Sequence, residues 1–451
     1  MRDGLGSAGP GTPGDQPADD HSGPAELRIR DGRTDREYVL PIDAGAIHAT
    51  DLDKITAPVA SADRAEGLVS YDPGFANTAC CRSSITFIDG DQGILRYRGY
   101  PIEQVAGRIS FLDVAWLLIH GELPTEAESA SFAAAVEAVP ELPAPITAIV
   151  DSFPSDAHPM SVLLSAWSAL SAYRAEAKHV DDEAVRMAEV PRFLAWIAAL
   201  TAVVFRHRTG RPQAPAAISG SYSARLLGSL FPERGVPDAS LVRALDLLLV
   251  LQADHEQNCS TNAVRSVGSS RVDPYSAFAG GIAALYGPLH GGANEAVVRM
   301  LHEVETVANV PALIERVKRG DGRLMGFGHR VYKSYDPRAA IIRATAEEVF
   351  RVTGRNSLLD VALAIETVAL HDSYFVDRKL YPNVDFYSGI IYQAMGFPVE
   401  MFPVLFAIGR MPGWLAQWEE GLNDPEQRIA RPRQLYVGQA ERHVVPATER
   451  G

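Results

Sequence analysis

The chain opens with short segments in which apolar residues alternate with polar ones, and continues with longer segments in which apolar residues recur at helical spacing. Glu26 to Ile42 alternates around the pair Asp31-Gly32, and Ser84 to Tyr97 alternates around Gly90-Asp91-Gln92-Gly93. Alternation interrupted by a turn rich in Gly and Asp is typical of a β-hairpin. The pattern therefore predicts a small β-rich element at residues 26–60 and a second hairpin after it.

After the second hairpin the pattern becomes helical, with Pro or Gly near most segment ends. Pro403 and Gly409 interrupt the last apolar segment, Met401 to Trp418. Neither a tandem repeat nor a regular alternation of strand and helix is present, which disfavours a solenoid and a doubly wound sheet. The pattern predicts a mainly α protein, with helices at Phe111–His120, Thr125–Val139, Met160–Lys178, Val190–Arg208, Ser240–Leu251, Tyr275–Tyr286, Asn294–Val307, Arg338–Thr353, Asn356–His371 and Val384–Met395.

Composition narrows the class of protein. The 451 residues are 47% hydrophobic and carry a net charge of −14. A length and apolar content of this kind allow a large core and more than one structural unit. Nucleic-acid and anionic-membrane binders need a basic surface, so we expect neither partner and look instead to small molecules or copies of the chain itself.

The length of the apolar stretches and the spacing of the cysteines help to predict the cellular compartment of the protein. Phe193 to Phe205 is shorter than the roughly 20 residues needed to span a bilayer, and we expect a buried helix there. Cys80, Cys81 and Cys259 form no framework for disulfides or zinc, which favours a reducing compartment and a cytoplasmic enzyme. Residues 1–25 lack the apolar core of a secretory signal and predict a disordered tail, and we assign residues 441–451 to a carboxy-terminal tail.

Several common catalytic signatures are absent. No Gly-Lys pair exists to form a phosphate-binding loop, and Val331 stands where a dinucleotide fingerprint beginning at Gly326 needs its third glycine. Cys259 occupies the second histidine position of a zinc-protease motif that would begin at His255. No nucleophile elbow of a serine hydrolase is present. We therefore expect no metal and no cofactor.

Three histidines and one aspartate stand out as candidates for chemistry. His290 and His329 are each flanked by glycine, which leaves the backbone room to approach a ligand, and His255 lies in Asp254-His255-Glu256. Asp385 follows a proline turn among apolar and aromatic neighbours. Taken singly, each could equally be an ordinary polar, core or helix-capping residue.

The order and spacing of five segments change that view. LQADHEQNCST, GPLHGGANEA, LMGFGHRVYKSYDPRA, KLYPNVDFYSG and RPRQLYVG follow one another between about Tyr71 and Gly438. With these segments the chain closely resembles the citrate synthase family, and the strand element before the helical body resembles its longer bacterial members. The resemblance implies the citrate synthase fold, with a large helical domain at 61–290 and 395–440 and a smaller, mobile helical domain at 291–394.

The resemblance also implies a reaction. Family members condense acetyl-CoA with oxaloacetate and hydrolyse citryl-CoA to citrate and CoA. By resemblance, Asp385 removes the methyl proton, His290 donates to the thioester oxygen, and His329 polarises the oxaloacetate carbonyl and protonates the new alkoxide. A carboxylate suits proton removal, and an imidazole N–H suits the charge that develops on oxygen.

Oxaloacetate is a dianion, so the site needs local positive charge that a chain of net charge −14 does not provide overall. By resemblance, Arg338, Arg410 and Arg431 bind oxaloacetate together with His255 and His329, and arginine suits a carboxylate because its planar fork can bind both oxygens. In the family the last arginine reaches in from the neighbouring subunit, which implies a homo-oligomer with shared active sites, a dimer or a hexamer.

Lys333 lies where family members place a basic contact to the phosphates of CoA. Three alternatives remain open at this point. A 2-methylcitrate synthase would use propionyl-CoA in the same site, and one extra methylene changes binding by only ~1 to 3 kcal/mol. A non-catalytic homologue would bind a ligand or partner, and a His/Asp metal hydrolase would be inhibited by chelators.

Overall fold

The computed structural model describes residues 25–58, 65–213, 219–329, 331–354, 357–439 and 441–450. The tail expected at residues 1–25 lies outside these ranges apart from Ala25, as does Arg330 of the third histidine segment. The described residues fall into two compact units. One comprises the described parts of Met1–Cys80 and Arg431–Gly451, and the other is Cys81–Ala430.

The strands form small antiparallel sheets rather than one large sheet. The predicted amino-terminal hairpin is present and pairs Glu26 with Pro41 and Asp31 with Arg36. The predicted second hairpin is also present, and a short third strand pairs with it. The described strands are β1 (Glu26–Asp31), β2 (Arg36–Pro41), β3 (Thr56–Pro58), β4 (Ala65–Gly67), β5 (Thr86–Asp89), β6 (Ile94–Tyr97) and β7 (Tyr100–Pro101). Strands β1 to β4 belong to the first unit, and β5 to β7 open the second.

Helices make up most of the second unit, which confirms the predicted mainly α fold with a short amino-terminal β element. The described helices are α1 (Ile102–Val105), α2 (Phe111–His120), α3 (Glu126–Glu137), α4 (Ala144–Asp151), α5 (Pro159–Leu170), α6 (Glu183–Arg208), α7 (Tyr222–Leu230), α8 (Ala239–Leu251), α9 (Cys259–Gly268), α10 (Pro274–Tyr286), α11 (Ala293–Val304), α12 (Val310–Lys318), α13 (Pro337–Thr353), α14 (Ser357–His371), α15 (Ser373–Val376), α16 (Val384–Met395) and α17 (Phe402–Asn423).

Several predictions about the helices were wrong. The helix expected at Val190–Arg208 begins seven residues earlier, at Glu183. The helix expected at Met160–Lys178 ends at Leu170 and continues only as two 3₁₀ turns, Ser171–Tyr173 and Ala175–Lys178. The interruption expected from Pro403 and Gly409 does not occur, and α17 is continuous. Pro403 is the second residue of α17, where its missing N–H has no carbonyl to bind within the helix, so it costs the helix little.

The apolar stretch from Phe193 to Phe205 lies inside α6, whose N-cap Asp182 accepts the N–H groups of Ala184 and Val185. By length and composition α6 could cross a membrane, and α16 with the segment Val399–Asn423 could do so only as a pair bent by 118°. Core helices of large proteins pass the same test. Phe193 and Phe205 are fully buried, which agrees with the predicted buried helix.

Helix α17 packs against α2, α6, α8 and α9 and is almost entirely buried. A Cβ atom on Gly413 would lie 2.2 Å from the carbonyl oxygen of Ala253 and 2.6 Å from Oδ1 of Asp254. Only glycine therefore allows α17 to approach the loop after α8 so closely. This close approach brings the middle of α17 beside the loop that carries His255.

The candidate residues lie where helices begin, end or pack. His255 follows α8, and His290 lies in the loop that joins α10 to α11. His329 lies between α12 and α13, and Asp385 is the second residue of α16. His290 and His329 both lie in loops. This placement agrees with the prediction made from their flanking glycines. The division into a large domain and a mobile domain at 291–394 concerns motion and stays a prediction.

Candidate active site

His255 occupies the loop between α8 and α9 and is only 8% exposed. Its Nε2 atom is buried and has no hydrogen-bond partner among the described residues. The ring centroid lies 5.2 Å from that of His329, with the rings at 70°. Burial, reinforced by the charges of Arg338 and the neighbouring histidine, lowers the pKa of His255 well below its ordinary value. His255 is therefore neutral at pH 7 and has a polar atom to offer a ligand.

His290 is held by the first turn of α9. Its Nε2 atom accepts the backbone N–H of Ser260 at 3.3 Å and lies 2.9 Å from Oγ of the same residue. Because an amide can only donate, this bond assigns the ring proton to Nδ1. Burial lowers the pKa of His290 to about 4, and the charge of Arg410 acts in the same direction. His290 thus carries a neutral imidazole whose Nδ1–H is a donor.

His329 has the opposite tautomer. Its Nδ1 atom accepts the backbone N–H groups of Val331 at 3.0 Å and Tyr332 at 3.2 Å, so the proton is on Nε2. Burial and then the charge of Arg338 lower the pKa of His329 to about 4. The turn that follows this histidine therefore fixes both its orientation and which nitrogen can donate.

Asp385 lies in the first turn of α16, where Asn383 is the N-cap and accepts the N–H of Asp385 at 3.0 Å. Burial raises the pKa of the Asp385 carboxyl to about 6, although the charges of Arg338 and Arg410 oppose the shift. The group remains mostly ionised at pH 7. It is a stronger base than a free aspartate, whose pKa is about 3.9.

Arg338 is 3% exposed and forms a two-pronged ion pair with Asp336. Nε and Nη2 of the arginine donate to the two carboxylate oxygens at 3.0 and 2.9 Å. The same carboxylate caps α13 and accepts the N–H of Val384 at 3.3 Å, one residue before Asp385. Asp336 therefore ties the arginine to the start of the helix that carries the aspartate.

Arg410 lies in the middle of α17 and is 2% exposed. Nε donates to the carbonyl of Gln252 at 2.6 Å, whereas Nη1 is buried without a hydrogen-bond partner among the described residues. Burial lowers the pKa of this arginine to about 10, so it is charged at pH 7. The ring of Phe406 lies 4.9 Å from the guanidinium carbon and 6.2 Å from the ring centroid of His290.

Electrostatic interactions link the pKa values of His255 and Asp385 to the other predicted residues of the site, six residues in all. The pKa of His255 responds to His290, His329, Arg338 and Arg410, and that of Asp385 responds to both arginines. The arginines and the aspartate come from α13, α16 and α17, and the histidines come from the three loops that follow α8, α10 and α12. Within the described ranges, no group of three or more His, Cys, Asp or Glu could hold a metal ion.

Lys333 and Arg431 are the two remaining predicted ligand contacts. Lys333 is exposed on the loop after His329, and its charge contributes to the lowered pKa of that histidine. Arg431 is exposed and belongs to the first compact unit. The roles predicted for both residues stay predictions.

Three residues that contact the predicted site residues were not predicted from the sequence. Asp336 could have been found, since Asp-Pro at the start of a helical segment is a common N-cap pattern. Ser260 gave no comparable signal, because its contact with His290 joins residues 30 positions apart. Tyr332 was also missed. Its hydroxyl is buried without a partner among the described residues, and its ring centroid lies 4.8 Å from that of His329.

Comparison with known proteins decides the family. The family model described as "Citrate synthase, C-terminal domain" matches residues 74–433, which include every candidate residue. The chain belongs to the citrate synthase family. The match confirms the resemblance seen in the five sequence segments.

Named relatives support the same assignment. The glyoxysomal citrate synthase of Cucurbita maxima is 48% identical over 435 residues, covering 94% of this chain and 84% of that protein. Citrate synthase 1 of Mycobacterium tuberculosis (strain CDC 1551 / Oshkosh) is 46% identical over 413 residues, covering 90% and 95%.

Solved structures confirm the citrate synthase fold. Citrate synthase from Pyrobaculum aerophilum superposes with a TM-score of 0.78 at 36% identity, covering 83% of this chain and 94% of that chain. The Thermoplasma acidophilum enzyme, solved in a ternary complex with carboxymethyl coenzyme A and oxaloacetate, gives a TM-score of 0.79 at 32% identity and covers 84% and 100%.

Proposed function

We propose that this enzyme is a citrate synthase that condenses acetyl-CoA with oxaloacetate and hydrolyses citryl-CoA to citrate and CoA. One arrangement carries the proposal. Two neutral histidines with assigned N–H donors and a carboxylate of raised pKa share a region with two buried arginines. A base, two oxygen-directed donors and an anion site are what this condensation requires.

The first step removes a proton from the thioester methyl group. Asp385 accepts this proton, and its pKa of about 6 makes it a better base than an exposed aspartate while leaving it ionised at pH 7. The carbon acid is still far weaker than the carboxylic acid that forms, so the developing enolate needs stabilisation. Nδ1–H of His290 supplies a donor to the thioester oxygen, a contribution of ~3 to 4 kcal/mol in comparable sites.

The second step forms the carbon–carbon bond. Nε2–H of His329 donates to the ketone oxygen of oxaloacetate, which draws electron density from the carbonyl carbon as the enolate attacks it. The same histidine transfers its Nε2 proton to the resulting alkoxide, and the proton that Asp385 removed from the methyl group passes through solvent to restore the imidazole. Water then hydrolyses the thioester of citryl-CoA, releasing citrate and CoA.

The two carboxylates of oxaloacetate bind the basic groups of the site. Nη1 of Arg410 and Nε2 of His255 are buried polar atoms without partners among the described residues, and leaving such atoms unsatisfied is costly. A carboxylate would satisfy both. Arg338 contributes charge, although its Nε and Nη2 already bind Asp336.

Three further assignments belong to the proposal. Lys333 binds a CoA phosphate, and closure of the domain at 291–394 excludes water during condensation. Arg431 completes the site of a neighbouring subunit in a homo-oligomer. The enzyme acts in the cytoplasm, a placement that rests on cysteine usage, whereas the Cucurbita maxima relative is named glyoxysomal.

The acyl chain separates this function from the nearest alternative, and the relatives named above are all called citrate synthase, which favours acetyl-CoA. A thiol reagent that reports free CoA measures kcat/KM for acetyl-CoA and propionyl-CoA at saturating oxaloacetate. We expect a clear preference for acetyl-CoA. A preference for propionyl-CoA would indicate 2-methylcitrate synthase, and no CoA release from either would indicate a non-catalytic homologue.

A further inference from the structure

The hairpin formed by β5 and β6 contacts the loop that carries His255. The backbone N–H of Ile88, in β5, donates to Oε1 of Glu256 at 2.9 Å. Glu256 has a φ of +48°, a backbone conformation that residues with side chains rarely adopt. The carboxylate of Glu256 thus joins a loop residue of left-handed backbone conformation to a strand residue 168 positions earlier in the sequence.

The residue on the other side of His255 is joined to the same hairpin. The hydroxyl of Tyr97, in β6, donates to the carbonyl of Asp254 at 3.1 Å. Tyr97 is fully buried, so water does not compete for this bond. His255 therefore lies between two residues that are each hydrogen-bonded to the hairpin.

The turn of the hairpin contacts the loop that carries His329. The carbonyl of Gly90 accepts the N–H of Lys333 at 2.7 Å and that of Ser334 at 3.3 Å. A Cβ atom at Gly90 would lie 2.1 Å from the carbonyl oxygen of Val331, so only glycine allows the turn to approach this closely. Val331 in turn donates to Nδ1 of His329, which continues the connection to the imidazole.

We propose that the β5–β6 hairpin is a positioning element that sets the separation of His255 and His329, with Glu256 as the positioning residue that joins it to the His255 loop. The inference rests on the proposed function, in which both histidines bind oxaloacetate. Glu256 itself does not touch the reacting atoms. It acts by holding a histidine ring whose centroid is 5.2 Å from its partner.

Two substitutions at one position separate a positioning role from general stabilisation. Glu256→Ala removes the acceptor of the Ile88 N–H, whereas Glu256→Gln keeps a side-chain oxygen that accepts the same bond. Glu128→Ala is the matched control. Its carboxylate also accepts a backbone N–H, that of Thr125 at 2.8 Å, but at the exposed start of α3.

The measurement is the Kd for oxaloacetate by titration calorimetry, with the KM values and the thermal midpoint from the same preparations. We expect Glu256→Ala to raise the oxaloacetate Kd about tenfold, while the KM for acetyl-CoA changes by no more than about twofold. Glu256→Gln and Glu128→Ala should bind oxaloacetate within about twofold of the unmodified enzyme. A merely stabilising contact would lower the thermal midpoint without changing the Kd.

The inference is overturned if Glu256→Ala binds oxaloacetate as the unmodified enzyme does, or if Glu256→Gln is weakened to the same extent. Equal weakening in Glu128→Ala would also overturn it, since the loss would then follow from stability. Failure of the proposed function is a different result, because the unmodified enzyme itself would neither bind oxaloacetate nor release CoA.

Discussion

The rings of His255 and His329 meet edge to face with their centroids 5.2 Å apart, and burial keeps the pKa of both histidines below its ordinary value. Two neutral imidazoles can lie this close without the repulsion that two imidazolium ions would suffer. Neutrality also suits the proposed roles, because each ring has one protonated and one unprotonated nitrogen. For His329, the backbone N–H groups of Val331 and Tyr332 then determine that Nε2 donates.

The pH dependence of activity follows from these shifts. Asp385 must be ionised to accept a proton, and its pKa is raised to about 6, whereas His290 and His329 stay neutral until the pH approaches their values of about 4. As the pH falls below about 6, protonation of Asp385 should make kcat/KM for acetyl-CoA fall in inverse proportion to the proton concentration. A pH–rate profile checks this. A half-maximal point near 4 would contradict a limiting carboxylate of raised pKa at Asp385.

Arg410 should be important for binding oxaloacetate rather than for turnover. Arg410→Lys keeps the charge but loses the planar fork and the buried Nη1 donor. We expect the oxaloacetate Kd to rise about tenfold or more, as is typical when a hydrogen bond to a charged group worth ~1.5 to 3 kcal/mol is lost. Calorimetry measures the Kd directly.

The matched control for Arg410→Lys is Arg206→Lys. Arg206 is also a buried arginine whose Nε donates to a backbone carbonyl, that of Pro212 at 2.5 Å, and it lies at the end of α6 outside the candidate site. The control should bind oxaloacetate normally. Equal losses of affinity in both variants, at equal thermal midpoints, would contradict a direct role for Arg410.

Sharing of active sites between subunits predicts complementation. Arg431→Ala should weaken oxaloacetate binding, and a His290→Ala variant should lack turnover. If each site takes its last arginine from a neighbour, mixed dimers contain one site with both residues intact and should regain part of the activity. Activity assays on mixed dimers verified by native mass measurement test this. No recovery would show that each subunit uses its own Arg431.

The fold was most predictable where local signals agreed. Helix α2 was predicted with its correct ends because Ser110 caps it and Gly121 adopts the left-handed conformation that stops it. Helix α9 was missed, since only Val264 and Val267 interrupt its small and polar residues. Its burial is set by packing against α10 and α17, which is tertiary information.

The sequence predicted a set of candidate residues but not their protonation states. Family segments identified His290, His329 and Asp385, but the tautomers depend on hydrogen bonds from Ser260 and Val331 that only folding creates. The raised pKa of Asp385 likewise comes from burial, which its sequence neighbours do not determine.

In the proposed mechanism, Asp385 is the base of a condensation whose anionic substrate is bound by other residues. Asp385→Asn should retain oxaloacetate affinity within about threefold, because the basic groups remain, and should lose turnover by ~10²-fold or more, because the amide cannot accept the proton. Asp377→Asn, at an exposed aspartate after α15, should retain both properties.

The most direct test is to measure CoA release and oxaloacetate binding on one folded preparation of Asp385→Asn. We expect binding to be retained and CoA release from acetyl-CoA to be lost. Turnover close to that of the unmodified enzyme, or loss of oxaloacetate binding in a folded protein, would contradict it.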